Sequence, residues 1–317
     1  MKVLITGSEG SLMQRVIPLL QGQGHSVIGI DNLYRYNRRR GNDYVFVNHD
    51  LLDCQQVDHL FSDVDLVIHA AAKIYGVGGF NRYCADILGD DIAITRNVLA
   101  ASVKHKVKRF VYISSSMVYE TCIQDLDVPV TEDMVIDCPM PKTDYGLSKL
   151  AGERLCQSYK KQYNLDYTIW RPFNIITPLE TAEQEQGTSH VFADYIENIL
   201  VKQLNPVPII GDGNQIRCFT WIDDVASIIA NYSFNPNTAC EAYNICNVEP
   251  TSMKELAQKI YAYTKPSRDL EFKTTVDYPN DVRIRVPSVN KLHSLIGEYN
   301  WVPVDVSIAR CIANANS

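Results

Sequence analysis

Short β-rich runs alternate with longer helical patterns over the first half of the chain, and this alternation restricts the fold more than any other feature. "KVLIT" (2–6), "SVIGI" (26–30), "YVFV" (44–47), "DLVIHA" (65–70), "RFVYIS" (109–114) and "YTIW" (167–170) read as strands; 11–22, 84–105 and 145–163 read as helices. Nearly continuous apolar runs belong to strands buried on both faces, and helices between them make the sheet parallel. The expectation is an α/β fold with a doubly wound parallel sheet over residues 1–172. Beyond 172 the pattern loosens, with Pro and Gly at "NPVP" (205–208), "GDG" (211–213) and "NPN" (235–237). A smaller mixed α/β lobe is expected over 173–317, some of its segments returning to the first unit.

The chain of 317 residues is 46% hydrophobic and 21% charged, ordinary for a soluble globular protein with a sizeable core. Its net charge of −7 argues against nucleic-acid or membrane partners, whose surfaces call for basic patches. The one basic cluster, "YRYNRRR" (34–40), is either a solvated loop or a contact to a ligand phosphate. No apolar run approaches a membrane span, and the N-terminal strand is too short for a signal peptide. The nine Cys occur without a C-x-x-C motif and sit singly, as at Cys84, Cys156 and Cys246. They read as free thiols in a reducing, cytoplasmic setting, with no disulfide frame and no metal site.

The stretch "LITGSEGSLM" (4–13) runs from a strand into a helix with Gly7 and Gly10 between. Gly7 permits a tight turn and Gly10 a close backbone approach, the context for a dinucleotide pyrophosphate at a helix N-terminus. Asp31 ends the second strand, where a carboxylate hydrogen-bonds a ribose 2′-hydroxyl and repels a 2′-phosphate. That favours NAD over NADP, with Arg35 and Arg38 to Arg40 as the counter-argument. Asp50, after the third strand, either accepts from the adenine amino group or caps a helix over 53–62.

"YGLSK" (145–149) places Tyr145 and Lys149 one helical turn apart on one face. Tyrosine near pKa 10 is a poor base, but an adjacent ammonium and a cationic nicotinamide would favour its phenolate. "SSS" (114–116) ends the preceding strand at the sheet's carboxyl edge, and a hydroxyl there can orient a substrate oxygen.

In family order, the chain carries "TGSEG", "HAAA" (69–72), "YISSSMVYE" (112–120), "YGLSKLAGE" (145–153), "RPFN" (171–174), "GDGNQIRCFTWIDDVA" (211–226) and "DVRIRVP" (281–287). On these motifs it resembles the extended short-chain dehydrogenase/reductases with a Rossmann fold, specifically the nucleotide-sugar epimerases and dehydratases. The resemblance implies Ser115, Tyr145 and Lys149 as catalytic residues. It implies NAD contacts at Gly7, Gly10, Ser11, Leu12, Asp31, Asn32, Asp50, Leu51, Ala70, Ala71, Ala72, Tyr145, Lys149 and Pro172. It implies contacts to a nucleoside-diphosphate sugar at Ser116, Asn174, His190, Val191, Arg217 and Arg283, with Arg285 as the alternative to Arg283. It also implies a homodimer through helices 84–105 and 145–163.

Several positions depart from the family pattern. Tyr278 replaces a family arginine, and Asp91 stands where many members have Asn. "IITPLE" (175–180) replaces a V-Y-G-P-R run, and "KIYGVGGF" (73–80) reads as a loop lining the sugar pocket or a plain helix entry. Met13 takes the third glycine place of the cofactor loop, and Ser11 is small where members carry a large apolar residue, so the two changes are expected to compensate in volume. Ser116 and Met117 stand where the resembling 4,6-dehydratases carry an Asp-Glu pair and the 3,5-epimerising members a Cys. What remains is the minimal set for oxidising a sugar C4 hydroxyl and returning the hydride, a 4-epimerase. A C4 dehydrogenase/reductase uses the same set, and a non-catalytic dinucleotide sensor would tend to lose Tyr145 or Lys149.

Overall fold

The computed structural model describes residues 1–35, 37–122, 128–182, 188–275 and 282–315, so Tyr278 lies outside the described residues. Along β1 (Lys2–Thr6), Val3 and Ile5 enter one buried apolar cluster and Leu4 a second on the opposite face. Successive side chains of a strand point to opposite sides, so this strand is apolar throughout because both of its faces are covered. Helix α1 (Met13–Gly22) covers the first face with Met13, Val16, Ile17 and Leu20, one apolar stripe at helical spacing. After the short α2 (Val77–Arg82), α3 (Cys84–Lys104) covers the second face with Ile94, Val98 and Leu99. Helix α4 (Asp144–Tyr163) packs beside it. The Thr143 hydroxyl caps α4 by accepting from the Gly146 N–H at 3.1 Å, and Asn164 in the left-handed conformation ends it.

The sheet continues with β2 (Ser26–Asp31), β3 (Val45–Asn48), β4 (Leu66–His69), β5 (Arg109–Ile113) and β6 (Asp166–Pro172). The chain then forms the short strands β7 (Ile175–Ile176), β8 (Val207–Ile209), β9 (Ile216–Cys218) and β10 (Thr220–Trp221), and returns to the large sheet as β11 (Glu241–Ile245). All seven strands run parallel in the order β11-β6-β5-β4-β1-β2-β3. Strand order reverses at β1, and ligands of such sheets bind beyond the carboxyl ends at that point.

Helix α5 (Val191–Tyr195), strand β12 (Pro250–Ser252), β13 (Phe272–Thr274) and β14 (Ile284–Arg285) belong to the smaller lobe. Its own core is built on Ile176, Phe192, Trp221, Leu256 and Ile260. Helix α6 (Ile222–Tyr232) packs against α1, so the lobe and the sheet unit share a face.

Two expectations change. The helix expected over 53–62 is a 3-10 helix, Leu51–Phe61, broken at Asp53. The cysteines are not all free: Cys122 and Cys138 form a disulfide, their Cα atoms 5.0 Å apart. The two cysteines are 16 residues apart between β5 and α4, and spacing alone does not reveal their pairing. The other seven cysteines are free thiols. Among the described residues no helix is long and apolar enough to cross a membrane.

Candidate active site

One cavity of about 860 Å³ opens beyond the carboxyl ends of β1, β4 and β5 and extends to the smaller lobe. Every residue expected to touch the cofactor lines it. Gly7 has a φ of +68°, and a Cβ there would lie 2.7 Å from the Ala71 backbone nitrogen, so only glycine lets β1 and β4 approach this closely. The N-terminus of α1 has no side-chain cap and no acidic residue in its first turn, and the positive end of a helix favours an anion. Asp31 accepts from the Glu9 N–H at 3.0 Å and the Leu33 N–H at 2.7 Å. Burial raises its carboxyl pKa, and the two backbone donors oppose the rise. Asp50 accepts from the Leu52 N–H at 2.9 Å as a helix cap and from the Asn32 amide at 3.2 Å while still lining the cavity. The cap does not exclude the adenine contact. A carboxylate at the second strand, a helix N-terminus without a side-chain cap and the Gly7 turn together fit NAD.

The basic cluster is not a free solvated loop. Arg35 pairs with Glu180 at 3.5 Å and lies over the Tyr75 ring, and Arg39 lies over Phe46 and pairs with Glu9 at 3.5 Å. Arg40 donates to the Leu179 carbonyl at 2.8 Å and to the Ser11 hydroxyl at 3.3 Å. This segment therefore crosses the cleft to the "IITPLE" run. Glu9, which sequence reasoning passed over, is 2% exposed and also accepts from the Arg40 N–H at 2.6 Å and the Tyr44 hydroxyl.

Strand β5 delivers Ser115 to the cavity, and the Ser115 Oγ accepts from the Met117 N–H at 3.2 Å, turning the chain into a 3-10 helix at Ser116–Tyr119. Ser115 and Tyr145 both line the cavity, near enough for the Ser115 side chain to act on the Tyr145 phenol. Tyr145 stacks on Phe80 with ring centroids 4.5 Å apart. The Lys149 ammonium donates to the Ile113 carbonyl at 3.1 Å and lies 5.7 Å from the centre of the Tyr145 ring. The triad expected from the sequence is thus assembled, but its electrostatics differ from expectation. Burial holds the Tyr145 phenol well above its ordinary pKa and Asp91 adds to the rise, while Ser115 and Arg285 oppose it. Burial lowers the Lys149 pKa, with Asp91 and Glu153 opposing.

A buried network fixes this geometry. The Ser114 hydroxyl donates to Glu153 at 2.6 Å, and Arg171 grips both Glu153 oxygens at 2.8 and 2.6 Å. Arg171 also donates to the Glu132 carbonyl at 2.9 Å, and the Tyr119 hydroxyl donates to Asn244 at 2.8 Å. A Cβ at Gly152 would lie 2.1 Å from the Tyr112 hydroxyl oxygen, so α4 can press onto β5 only with glycine there. Arg171 opens "RPFN" and Glu153 closes "YGLSKLAGE"; their role as a mutual anchor becomes visible only in three dimensions.

Toward the smaller lobe, the parallel register of β14 on β9 sets Arg285 opposite Arg217. Both are buried and line the cavity. Asn174 donates to the Cys218 carbonyl at 2.8 Å and accepts from Arg285 at 3.2 Å. Arg285 also contacts the Met117 sulfur. Arg283 is not brought to the cavity: its guanidinium is exposed and bonds both Asp212 oxygens at 2.8 Å. Ser116 and Val191 line the cavity, as does His190, whose Nδ1 lies 2.8 Å from Glu180. The surrounding cleft disfavours a charge on His190, whose ring is itself partly exposed, yet Glu180 outweighs this and raises the pKa; in turn Glu180 is held at about 2 despite burial, chiefly by His190.

The model of the NAD dependent epimerase/dehydratase family matches residues 3–246. A putative UDP-glucose 4-epimerase of Methanocaldococcus jannaschii is 32% identical over 259 residues, 80% of this chain and 79% of that protein. A GDP-mannose 3,5-epimerase of Arabidopsis thaliana is 26% identical, covering 96% of this chain and 78% of that one. In fold, the chain is similar to Thermus thermophilus UDP-glucose 4-epimerase, solved in complex with NAD, with a TM-score of 0.84, 24% identity and coverage of 100% and 99% of the two chains. Loop, triad and family match agree, and the chain belongs to the NAD-dependent epimerase/dehydratase family, enzymes that act on sugar nucleotides with NAD as cofactor.

Proposed function

We propose that the protein is a nucleoside-diphosphate-sugar 4-epimerase. The observation that carries this reading is the cavity wall at 115–117. Ser115 and Tyr145 line it together, while the two places after Ser115 hold a Ser and a thioether that touches Arg285. A methionine sulfur neither gives nor takes a proton, so Met117 cannot remove a hydrogen from a neighbouring sugar carbon.

Tyr145 takes the C4 hydroxyl proton and Ser115 orients that oxygen. NAD, when bound, accepts the C4 hydride and gives it back. The Tyr145 pKa must fall for this step, and positive charge from Lys149, Arg285 and the nicotinamide favours the phenolate. Arg217 and Arg285 side by side suit a diphosphate, which guanidinium groups bind through paired hydrogen bonds. Return of the hydride to the opposite face inverts C4.

The test is incubation with UDP-, GDP-, dTDP- and CDP-hexoses in D₂O without added NAD. The expected result is a C4 epimer with no deuterium in the carbon skeleton. Deuterium at C3 or C5 would contradict the reading, and stoichiometric formation of reduced cofactor would favour a C4 dehydrogenase instead.

A further inference from the structure

Asp91 is a carboxylate buried inside the catalytic constellation, and the reaction just described gives it no task. It is 3% exposed and lines the cavity. One oxygen accepts the Lys73 N–H at 2.9 Å, and the other accepts the Ser148 hydroxyl at 3.2 Å. It is therefore fixed from two sides, by the loop after β4 and by α4 next to Lys149. The charged and titratable groups facing it are Lys149 and Tyr145 on α4, Lys73 on the loop and Tyr112 on β5. Its neighbour Asp90 is turned away to the Lys73 ammonium at 2.6 Å. His69 on β4 is neutral, its pKa driven down to about 3 by burial and then by Lys149.

Buried charges are tolerated when compensated. Lys149 is nearly buried, and Asp91 supports its charge against desolvation. We propose that Asp91 is the counter-charge of this active site, balancing Lys149 and the cationic nicotinamide so that C4 is oxidised only transiently. A nearby anion stabilises the cationic, oxidised ring relative to the neutral, reduced one, so it favours return of the hydride. The same anion raises the Tyr145 pKa, which favours the proton's residence on the phenol. Burial raises the Asp91 carboxyl itself to about 6, with Lys149 the first of the opposing influences.

Asp91→Asn keeps shape and an acceptor for the Lys73 N–H. Ser148 retains the Tyr145 carbonyl as acceptor at 2.9 Å. Without the charge, more C4 oxidation stalls: the hydride stays on the cofactor, the proton passes through Tyr145 to solvent, and the 4-keto sugar leaves. The inference rests on Tyr145 acting as the base, but its first test needs no substrate. Ultraviolet difference titration of the NAD-loaded protein, with the Tyr145→Phe titration subtracted, reads the Tyr145 midpoint. In Asp91→Asn it is expected to fall by about one pH unit, the size of one neighbouring charge. Ser148→Ala, which removes a hydrogen bond but no charge, is expected to leave it in place. During turnover, Asp91→Asn is expected to accumulate roughly tenfold more reduced nicotinamide, the same one-unit effect read as a ratio. An unchanged midpoint in Asp91→Asn, or an equal shift in Ser148→Ala, would overturn the inference. Full turnover by Tyr145→Phe would instead defeat the proposed function and leave the titration result standing.

Discussion

Replacing Glu153 by Ala tests the anchor beneath the candidate catalytic residues. Glu153 and Arg171 are each 2% exposed, so neither charge can turn to water. Glu153 accepts three bonds of 2.6 to 2.8 Å, two from Arg171 and one from Ser114. Burial disfavours the charge on Arg171, but Glu153 outweighs it and raises the guanidinium pKa. Among the described residues, Glu153→Ala leaves that cation the Tyr119 hydroxyl and the Glu132 carbonyl as acceptors. Stripping one partner from a buried pair costs about 3–5 kcal/mol. Exchanging both partners for apolar residues of similar volume is often far milder, so Glu153→Leu/Arg171→Met is expected to be more stable than Glu153→Ala alone. Guanidinium denaturation at neutral pH measures both. Loss of the Ser114 bond frees the end of β5, so turnover by Glu153→Ala is expected to fall as well. A loss below about 1 kcal/mol, with the double variant worse than the single, would refute this assignment, since exposed pairs contribute only that much.

Arg285→Ala is expected to raise KM for the sugar nucleotide at least tenfold, about 1.4 kcal/mol, whereas Arg283→Ala, which breaks a surface pair with Asp212, should change it less than twofold by steady-state kinetics. Met13 is 1% exposed in the core under α1, so Met13→Gly is expected to cost about 2–5 kcal/mol in denaturant unfolding as a buried truncation. An increase in both stability and NAD affinity would show that Met13 is merely tolerated. The folded-state pKa of His190 is raised, so its contribution to stability is present below the ordinary histidine value and is lost as pH rises through the folded one. Glu180, held at about 2, contributes above its ordinary 4.5 and loses that contribution as pH falls toward 2. Glu180→Gln should therefore flatten the pH dependence of Tm from pH 3 to about 7, flanking those ordinary values.

The strand and helix pattern of the first half was legible because both faces of the sheet are buried, so apolar runs such as "KVLIT" have no alternative. That Ser115, Tyr145 and Lys149 would meet at one cavity was legible because Tyr145 and Lys149 share one helix face and Ser115 follows a strand. Arg283 and Arg285 could not be separated, because their sorting depends on the pairing of β14 with β9, a contact distant in sequence. The disulfide was hidden for the same reason, as was the path of Arg35 and Arg40 across the cleft to Glu180 and Leu179. The Met13–Ser11 volume exchange gains half a footing: Met13 is packed in the core, whereas Ser11 is half-buried and bonded to Arg40, so it is not simply vacated volume.

The central claim is that hydride leaves and returns to the same sugar carbon. A sugar nucleotide carrying deuterium at C4 tests it most directly, with the product examined by NMR after many turnovers. The expected product has inverted C4 with the deuterium still attached to it. Inverted product with hydrogen at C4, or label recovered in released reduced cofactor, would contradict it.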